Sequence, residues 1–413
     1  MSRSYKVTLL IALYLAQGLP YGFFTQALPV LLRDAGFSLK AISATSLLFL
    51  PWAFKFLWAP FVDHRGTRRQ WLLTLQVTAV LGALGLAWFD PGSGYLWLLA
   101  AAFAFNLVAA CQDVVTDGLA VRMLSPAERG LANGIQVGAY RFGMILGGGL
   151  LLYVFARAGW TTMFLCMATL LALTVLPALA LREPANDRPG VRAGFKELAF
   201  GWMTRLKTPG VLVLIGLIAG YRFGDSMVAS LIGPFMRDYG LTKESIALIK
   251  GTVGSLASLA AAILGGGFAY LVGRRTALFA CGLAQTASLG FYVLAAFGIG
   301  GVAMIWAGNV AEHLLGGMAT VAVFTLMMDA SDPEHAGTDY TLFACAIVFV
   351  TGIANFTGAS IADAFGYAPT FVLGMILSGI GCLVLVASLD ARRGPARVAA
   401  VWHATPGRIA VGA

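Results

Sequence analysis

Long apolar stretches, each separated from the next by a short charged or turn-forming segment, recur from one end of this chain to the other. A helix of about 20 apolar residues is long enough to cross the hydrocarbon core of a bilayer. With 59 % hydrophobic and only 11 % charged residues, the composition excludes a soluble globular protein. The sequence therefore predicts an all-α, multi-pass membrane protein.

The apolar stretches predict twelve transmembrane helices in two halves of six. The predicted spans lie at 7–32, 39–61, 70–89, 95–123, 129–156, 160–181, 210–236, 242–271, 275–298, 301–329, 337–363 and 367–389. The largest polar gap divides the chain into an N-terminal half (1–181), a cytoplasmic linker (182–209), a C-terminal half (210–390) and a cytoplasmic tail (391–413). We expect the tail to be mobile, as chain termini commonly are.

The distribution of Lys and Arg predicts the orientation in the membrane. Of the 28 such residues, five lie in odd-numbered loops and four (Lys55, Arg141, Arg222 and Lys250) lie inside predicted spans. The other nineteen lie in the termini and the even-numbered loops. Because cytoplasmic loops are enriched in Lys and Arg, both termini are predicted to be cytoplasmic. The net charge of +9 follows from this topology, so nucleic-acid binding is not indicated.

Three sequence matches at a nearly constant spacing indicate an internal repeat. An Arg-Asp-x-Gly motif recurs at an offset of 204, whereas a glycine after the second span and a Pro-x-x-x-Gly motif recur at an offset of 207. The matched positions are 33–36 with 237–240, Gly66 with Gly273, and 126–130 with 333–337. Matches in the same order at one spacing predict two parallel six-helix repeats.

Ionisable residues inside the fourth and fifth predicted spans are candidates for function, because such residues are costly in a bilayer and usually face a bundle interior. Asp113 and Asp117, with Gln112 beside the first, lie four positions apart and so share a helix face. Asp113 and Arg141 are each fourteen residues from the hairpin midpoint near Ala127, which places them at equal depth and predicts an ion pair. Two alternatives remain: a purely structural pair, and an Asp117 that orders the turn through Arg122 or Arg129.

The tetrad Tyr-Arg-Phe-Gly occurs twice, at 140–143 and at 221–224, and Asp225 follows the second copy. Arginine offers a forked set of donors that suits a carboxylate, although Arg222 and Asp225 can also form a self-contained pair. In the tenth span, Glu312-His313 suits proton transfer, and a core histidine bonded to a neighbouring helix is the alternative. The predicted substrate and proton pathway comprises Gln112, Asp113, Asp117, Tyr140, Arg141, Tyr221, Arg222, Asp225, Asn309, Glu312 and His313.

Other classes of function lack the motifs that they need. The chain has no H-E-x-x-H and no G-x-S-x-G motif, so an enzyme is not indicated. Its five cysteines all fall in apolar spans without a C-x-x-C pair, so no metal site is predicted. No nucleotide-binding segment is present, and no cofactor is expected. The predicted partners are a small-molecule substrate, protons and the lipid bilayer, and the functional unit is predicted to be a monomer.

The loop after the second span reads Asp63-x-x-Gly66-x-Arg68-Arg69 and resembles the signature loop of the major facilitator superfamily. The resemblance implies a transporter with two six-helix halves and a cytoplasmic latch between the halves formed by Asp63, Gly66, Arg68 and Arg69. In the second copy of the motif Tyr270 replaces the acid, so the resemblance does not imply a symmetric latch.

Further motifs resemble one branch of that superfamily, the muropeptide permeases with the related peptide, acetyl-CoA and drug transporters. These motifs are Gln-Asp-x-x-x-Asp at 112–117, Glu-Arg-Gly at 128–130, and Gly-Ala-Tyr-Arg at 138–141. Within the branch, the short twelve-span chain is similar to siderophore permeases of the rhizobactin and pyochelin type, especially those of pseudomonads. That resemblance implies proton-driven import of pyochelin or ferric pyochelin across a bacterial inner membrane.

A compositional argument favours the same substrate. The two tetrads supply buried arginines and aromatic rings but few amides, which suits an aromatic, anionic chelate better than a sugar-rich muropeptide. Import of anhydromuropeptides is the alternative, and another small-molecule/proton transporter of the same superfamily is a further one.

Overall fold

The computed structural model describes residues 2–34, 44–89, 95–182 and 194–404, and this part of the chain is α-helical without a β-strand. The all-α prediction is therefore confirmed. The start of the predicted second span, residues 183–193 of the predicted linker, and residues 405–413 of the predicted tail lie outside the described residues.

The described residues up to 206 form nine helices, several joined by short 3₁₀ or π segments. They are α1 (Arg3–Gly22), α2 (Leu28–Asp34), α3 (Leu50–Phe54), α4 (Ala59–His64), α5 (Arg68–Ala87), α6 (Tyr95–Met123), α7 (Pro126–Ile145), α8 (Leu151–Leu179) and α9 (Phe195–Leu206). Helix α9 lies within the segment predicted as a linker, which is thus partly helical. The predicted second span is a broken helix in its described part, because a 3₁₀ segment, Lys55–Leu57, separates α3 from α4.

The remaining described chain contains nine further helices. They are α10 (Val211–Ala229), α11 (Ile232–Asp238), α12 (Lys243–Ile246), α13 (Gly254–Val272), α14 (Arg274–Ala296), α15 (Gly301–Ala330), α16 (Ala336–Phe365), α17 (Tyr367–Asp390) and α18 (Ala396–Trp402). A π segment, Ala247–Val253, leads into α13, and a 3₁₀ turn, Pro333–His335, leads into α16.

Ten helical stretches within the described residues are long and apolar enough to cross a membrane. One of them, Pro126–Leu179, has 54 residues and would extend about 80 Å as one straight helix, far more than a bilayer needs. Its backbone leaves the helical region at Gly159, where φ is 79°, so it provides two spans rather than one. The protein is thus a multi-pass membrane protein, as predicted.

The helices group into two compact units. Unit 1 comprises Met1–Met123, Ala139–Trp202 and Asp332–Thr341, and unit 2 comprises Leu124–Gly138, Met203–Ser331 and Leu342–Ala413. In unit 1, α5 packs along α8; in unit 2, α14 packs along α15, and α10 along α17. Each unit also contains a short segment from the opposite half of the repeat. The division of the chain at residues 181 and 210 stays a prediction.

Glycines at helix contacts allow backbones to approach closely within each unit. In unit 1, a Cβ added at Gly143 of α7 would lie 3.0 Å from the Cα of Gly18 in α1. In unit 2, a Cβ at Gly134 would lie 3.0 Å from the Cα of Gly266 in α13. These glycines therefore serve helix packing, which is the usual role of small residues in membrane helices.

Within the described part of the predicted tail, residues 391–404, the chain forms the helix α18, contrary to the expectation of a mobile segment. Helix α18 buries Val398 and Trp402 against unit 2. The indole of Trp402 donates to Asp390 Oδ1 at 2.8 Å, and Arg275 pairs with the same carboxylate at 2.8 Å. An apolar anchor and a shared carboxylate thus hold the helix in place.

We expect Trp402→Ala to destabilise the protein by about 3 kcal/mol, because it removes a fully buried ring and leaves a cavity. His403→Ala is the control, since its side chain is mostly exposed. Thermal unfolding of the detergent-solubilised protein, followed by size-exclusion fluorescence, measures the difference. Equal melting temperatures for the two variants would contradict a role of α18 in stability.

Candidate functional site

Unit 1 contains an ion pair between two predicted spans. The Lys55 ammonium, at the start of the 3₁₀ break between α3 and α4, contacts Asp113 Oδ2 on α6, and both side chains are almost completely buried. The Lys55 ammonium also lies 5.6 Å from the ring centroid of Trp52. A buried carboxylate needs such a partner, because one left alone in low dielectric is costly.

The second acid of the pair has a different partner. Asp117 Oδ1 accepts a hydrogen bond from the Tyr14 hydroxyl of α1 at 3.0 Å, and both groups are buried. Arg122 instead donates to the backbone carbonyl of Glu334, and Arg129 pairs with an acid of unit 2. Asp117 therefore joins α6 to α1, and the alternative in which it orders the following turn is wrong.

The predicted ion pair between Asp113 and Arg141 is wrong. The partner of Asp113 is Lys55, and the side chain of Arg141 is exposed. Equal distance from the hairpin midpoint does not decide which way a side chain points around its helix. Each residue turns the side chain by about 100°, so equal depth leaves the facing undetermined.

Aromatic rings and amides surround this acid pair. The Tyr21 ring lies 5.9 Å from Trp52 and 5.6 Å from Tyr140, and the Trp52 indole donates to Asn106 Oδ1 at 3.4 Å. On α1, Gln17 lies between Tyr14 and Tyr21 at helical spacing, is 1 % exposed, and has no hydrogen-bond partner for either side-chain atom.

Gln112 is a second buried amide on the helix that carries Asp113. It precedes Asp113 in the chain, and its amide nitrogen also lacks a partner. These unmet donors and acceptors could be satisfied by a polar ligand or by water. Gln17 and Asn106 were not predicted as site residues, although both are polar residues inside apolar spans and Gln17 has helical spacing to Tyr14 and Tyr21.

Unit 2 contains a second polar cluster, built on α10. Arg222 Nη1 lies 3.3 Å from Asp225 Oδ2, three residues along the same helix, so the predicted pair forms. Tyr221, in the same turn, is buried, and its hydroxyl has no hydrogen-bond partner.

Helix α15 contributes the acid and imidazole predicted from the sequence. His313 Nδ1 lies 2.7 Å from Glu312 Oε2 and 3.0 Å from the backbone oxygen of Asn309. Both neighbours are acceptors, so Nδ1 carries the proton. The amide of Asn309 donates to the backbone oxygen of Ile249 at 2.8 Å, which fixes α15 to the segment that carries Lys250.

The signature loop places a carboxylate on the first turn of α16. Asp63 accepts hydrogen bonds from the backbone nitrogens of Gly337 at 3.1 Å and Thr338 at 2.7 Å, and from the Thr338 hydroxyl at 2.6 Å. The first N–H groups of a helix have no partner within it and attract negative charge. The contact joins segments from the two halves of the predicted repeat, within unit 1.

Electrostatics keep Asp63 ionised. Burial alone would raise the pKa of Asp63, but the Arg68 guanidinium and the Thr338 hydrogen bonds outweigh burial and hold this pKa below its usual range. The contact thus contributes stability at neutral pH and loses that contribution only when pH falls through the lowered folded-state pKa.

The other residues of the predicted latch have separate roles. Arg68 pairs with Asp63 and also donates to the backbone oxygen of Val62 at 2.9 Å. Gly66, with φ of 68°, makes the turn before α5. Arg69 donates to the backbone oxygen of Leu179 at 3.1 Å, which links the start of α5 to the end of α8.

In unit 2, Asp329 is the acid that links segments from the two halves of the predicted repeat. Asp329, near the end of α15, pairs with Arg129 at 2.9 Å and with Arg274 at 2.5 Å. Arg274 also donates to the backbone oxygen of Pro126. Where the second motif copy has Tyr270 in place of the acid, a carboxylate from another helix thus joins the two halves of the repeat.

The chain matches the family model described as Major Facilitator Superfamily over residues 10–347 and 214–406. It therefore belongs to this superfamily of transporters, which confirms the resemblance of the signature loop. Two solved structures show the same fold: the proton:xylose symporter XylE (TM-score 0.75, 13 % identity, 97 % of this chain and 100 % of that one) and the Escherichia coli fucose:proton symporter FucP (0.71, 15 %, 94 % and 99 %).

Two relatives extend over nearly the whole chain. An uncharacterized protein of Haemophilus influenzae is 32 % identical over 393 residues, covering 90 % of this chain and 92 % of that protein. The anhydromuropeptide permease of Escherichia coli K12 is 28 % identical over 392 residues, covering 92 % of this chain and 79 % of that protein.

The second match contradicts the prediction of a siderophore importer, because a relative aligned along the chain is named as a permease of muropeptides. Composition also misled about the substrate. Phe142, one of the rings counted beside the two arginines, is 46 % exposed, and the buried amides of Gln17 and Asn106 in other spans were left out.

We expect Lys55→Met to reduce folded yield strongly, because it leaves the buried Asp113 carboxylate unpaired at a cost of roughly 3–5 kcal/mol. The double change Lys55→Met/Asp113→Asn removes both charges and recovers most of the yield. Arg141→Leu, at an exposed site, is the control. Size-exclusion fluorescence of the three variants measures the effect, and strictly additive losses for Lys55 and Asp113 would show that the pair is not coupled.

We expect Asp63→Asn to weaken the contact with α16 by about 2 kcal/mol, because hydrogen bonds to a charged acceptor are lost. Thr338→Val removes only the hydroxyl donor and has a smaller effect. If the contact holds the predicted cytoplasmic ends together, weakening it favours the state that is closed to the periplasm. Labelling of a cysteine at a predicted periplasmic position is then highest in wild type, lower in Thr338→Val and lowest in Asp63→Asn. Labelling that is the same in all three would remove Asp63 from the latch.

Proposed function

We propose that this protein is a proton-driven secondary transporter that imports anhydromuropeptides into the cytosol. It acts as a monomer in a bacterial inner membrane, with both termini in the cytoplasm. The observation that carries this proposal is the similarity to the Escherichia coli anhydromuropeptide permease over 92 % of the chain.

The chemistry of the unit 1 cluster supports a substrate that combines sugar and peptide. Tyr21, Trp52 and Tyr140 offer flat apolar surfaces, which suit the faces of sugar rings. Gln17 and Gln112 offer buried amide groups with unmet hydrogen bonds, which suit hydroxyl and acetamido groups. Lys55 is a cation within the same group.

Proton coupling is supported by acids held inside both units. Asp113 and Asp117 in unit 1, and Asp225 in unit 2, are buried carboxylates, the kind of group that proton relays in membranes use. Glu312 with His313 is a further candidate. Opening and closing require contacts between the repeat halves to break and re-form, and we assign this role to the contacts of Asp63 and Asp329.

Complementation tests the proposed substrate. In a strain that lacks its own anhydromuropeptide permease, expression of this protein is expected to restore cytosolic accumulation of a labelled anhydromuropeptide and β-lactamase induction. Accumulation is expected to collapse when a protonophore removes the proton gradient. A well-expressed protein that gives no uptake above the empty vector would refute the proposal.

Gln17→Leu is expected to reduce the affinity for anhydromuropeptide about 3- to 10-fold, the usual effect of losing one hydrogen bond. Uptake at several substrate concentrations measures this as a higher half-saturation concentration. Gln26→Leu, on the same transmembrane stretch but exposed, is the matched control. Identical uptake curves for Gln17→Leu and Gln26→Leu would exclude Gln17 from the substrate site.

A further inference from the structure

The buried carboxylate of Asp225 has an incomplete set of hydrogen bonds. Its Oδ2 lies 3.3 Å from Arg222, whereas Oδ1 is buried and has no hydrogen-bond partner. The amide of Gln285 of α14 lies beside the carboxylate. The side chain of Asp225 is 6 % exposed and that of Arg222 is 20 % exposed, so a solute can reach the arginine more easily than the acid.

The charged groups around Asp225 are balanced. Arg222 and Asp225 come from α10, Lys250 from the π segment before α13, and Glu312 with His313 from α15. Beside His313, two basic residues, Arg222 and Lys250, face two carboxyl groups, Asp225 and Glu312.

The other neighbours are uncharged. Helix α14 contributes Gln285 and, near Tyr221, Cys281; α17 contributes Cys382 near the same tyrosine. Helix α16 contributes Thr351, whose hydroxyl lies 3.3 Å from that of Ser226 on α10. A ligand carboxylate therefore enters a cluster that already holds as many carboxyl groups as Lys and Arg side chains.

We propose that Arg222 is exchanged between Asp225 and a carboxylate of the substrate, so that each bound carboxylate makes Asp225 take up one proton. This inference rests on the proposed function, because the peptide part of a muropeptide carries carboxylates. The guanidinium is suited to this exchange, since it binds any carboxylate through the same fork of donors.

The exchange conserves charge and atoms. Before binding, the Arg222 cation is balanced by ionised Asp225. After binding, the substrate carboxylate balances Arg222, and a proton from solvent joins an Asp225 oxygen. The buried acid is then neutral, as a carboxyl group without a cation partner tends to be in low dielectric. No group other than the substrate and one proton is needed.

Asp225 fits this role better than Glu312. The Glu312 carboxylate has His313 at 2.7 Å and Lys250 nearby on a different element, so losing one neighbour leaves it another. Asp225 depends on Arg222 for its ion pair among the described residues. A substrate that takes the arginine therefore changes the charge state of Asp225 first.

The experiment measures proton uptake during binding. Anhydromuropeptide is added to the purified full-length protein in a weakly buffered detergent solution with a pH indicator, and binding is measured in parallel by calorimetry. We expect about one proton taken up per ligand bound by wild type and by Asp363→Asn, an exposed acid on α16 that serves as the control. Asp225→Asn is expected to bind without proton uptake.

A second ligand and a second variant keep the test decisive. Anhydromuropeptide with its peptide carboxylates amidated is expected to bind wild type more weakly and without proton uptake. If Asp225→Asn does not fold, Arg222→Gln/Asp225→Asn removes both charges and is expected to show weak binding without proton uptake.

The outcomes separate this inference from the proposed function. Undiminished proton uptake by either Asp225 variant, or with the amidated ligand, overturns the exchange at Asp225 while the substrate assignment stands. Binding by wild type without proton uptake also overturns the exchange alone. Absence of anhydromuropeptide binding to wild type overturns both.

Discussion

An ionised side chain inside a bilayer-spanning helix must find an opposite charge or several hydrogen-bond donors, and this requirement governs how the polar residues of this protein are arranged. In unit 1, Lys55 and Asp113 meet from different spans. In unit 2, Arg222 and Asp225 pair along one helix. A pair between spans holds two helices together, whereas a pair within one helix can separate without moving a neighbour. The second kind is therefore better suited to an exchange of partners.

Two contacts between the repeat halves each contain a buried carboxylate, and the groups that neutralise it differ between the two contacts. Asp63 is held by the free N–H groups at the start of α16 and by Arg68, whereas Asp329 is held by two arginines, Arg129 and Arg274. The superfamily repeat predicts that the two copies of the signature loop act alike. The second copy has Tyr270 at the position of the acid, and the carboxylate of Asp329 on α15 provides the negative charge there.

The sequence predicted the class of fold because hydropathy, helix length and the repeat are local or periodic properties. It predicted the pair of Arg222 with Asp225, since partners three residues apart on one helix need no knowledge of tertiary structure. It failed for Asp113, whose partner Lys55 lies 58 residues away, because the facing of one helix towards another depends on packing along its whole length. Helix α18 was missed for the same reason, since its stability comes from the burial of Trp402.

The error about the substrate has a physical origin as well. The substrate prediction relied on the charge and aromatic rings of two identical tetrads in spans five and seven. The two copies have different surroundings, since Arg141 is exposed and Arg222 is paired with Asp225. Unit 1 contains two buried glutamines with unpartnered amide atoms, Gln17 on the same helix as Tyr14 and Gln112 on the same helix as Asp113. A buried amide with unmet hydrogen bonds discriminates between ligands more strongly than an exposed ring, because leaving it unpaired is costly in the bound state. For the proposed muropeptide substrate, we therefore expect a few uncharged polar groups inside apolar spans to decide which ligand binds, and neither composition nor a count of charges identifies such groups.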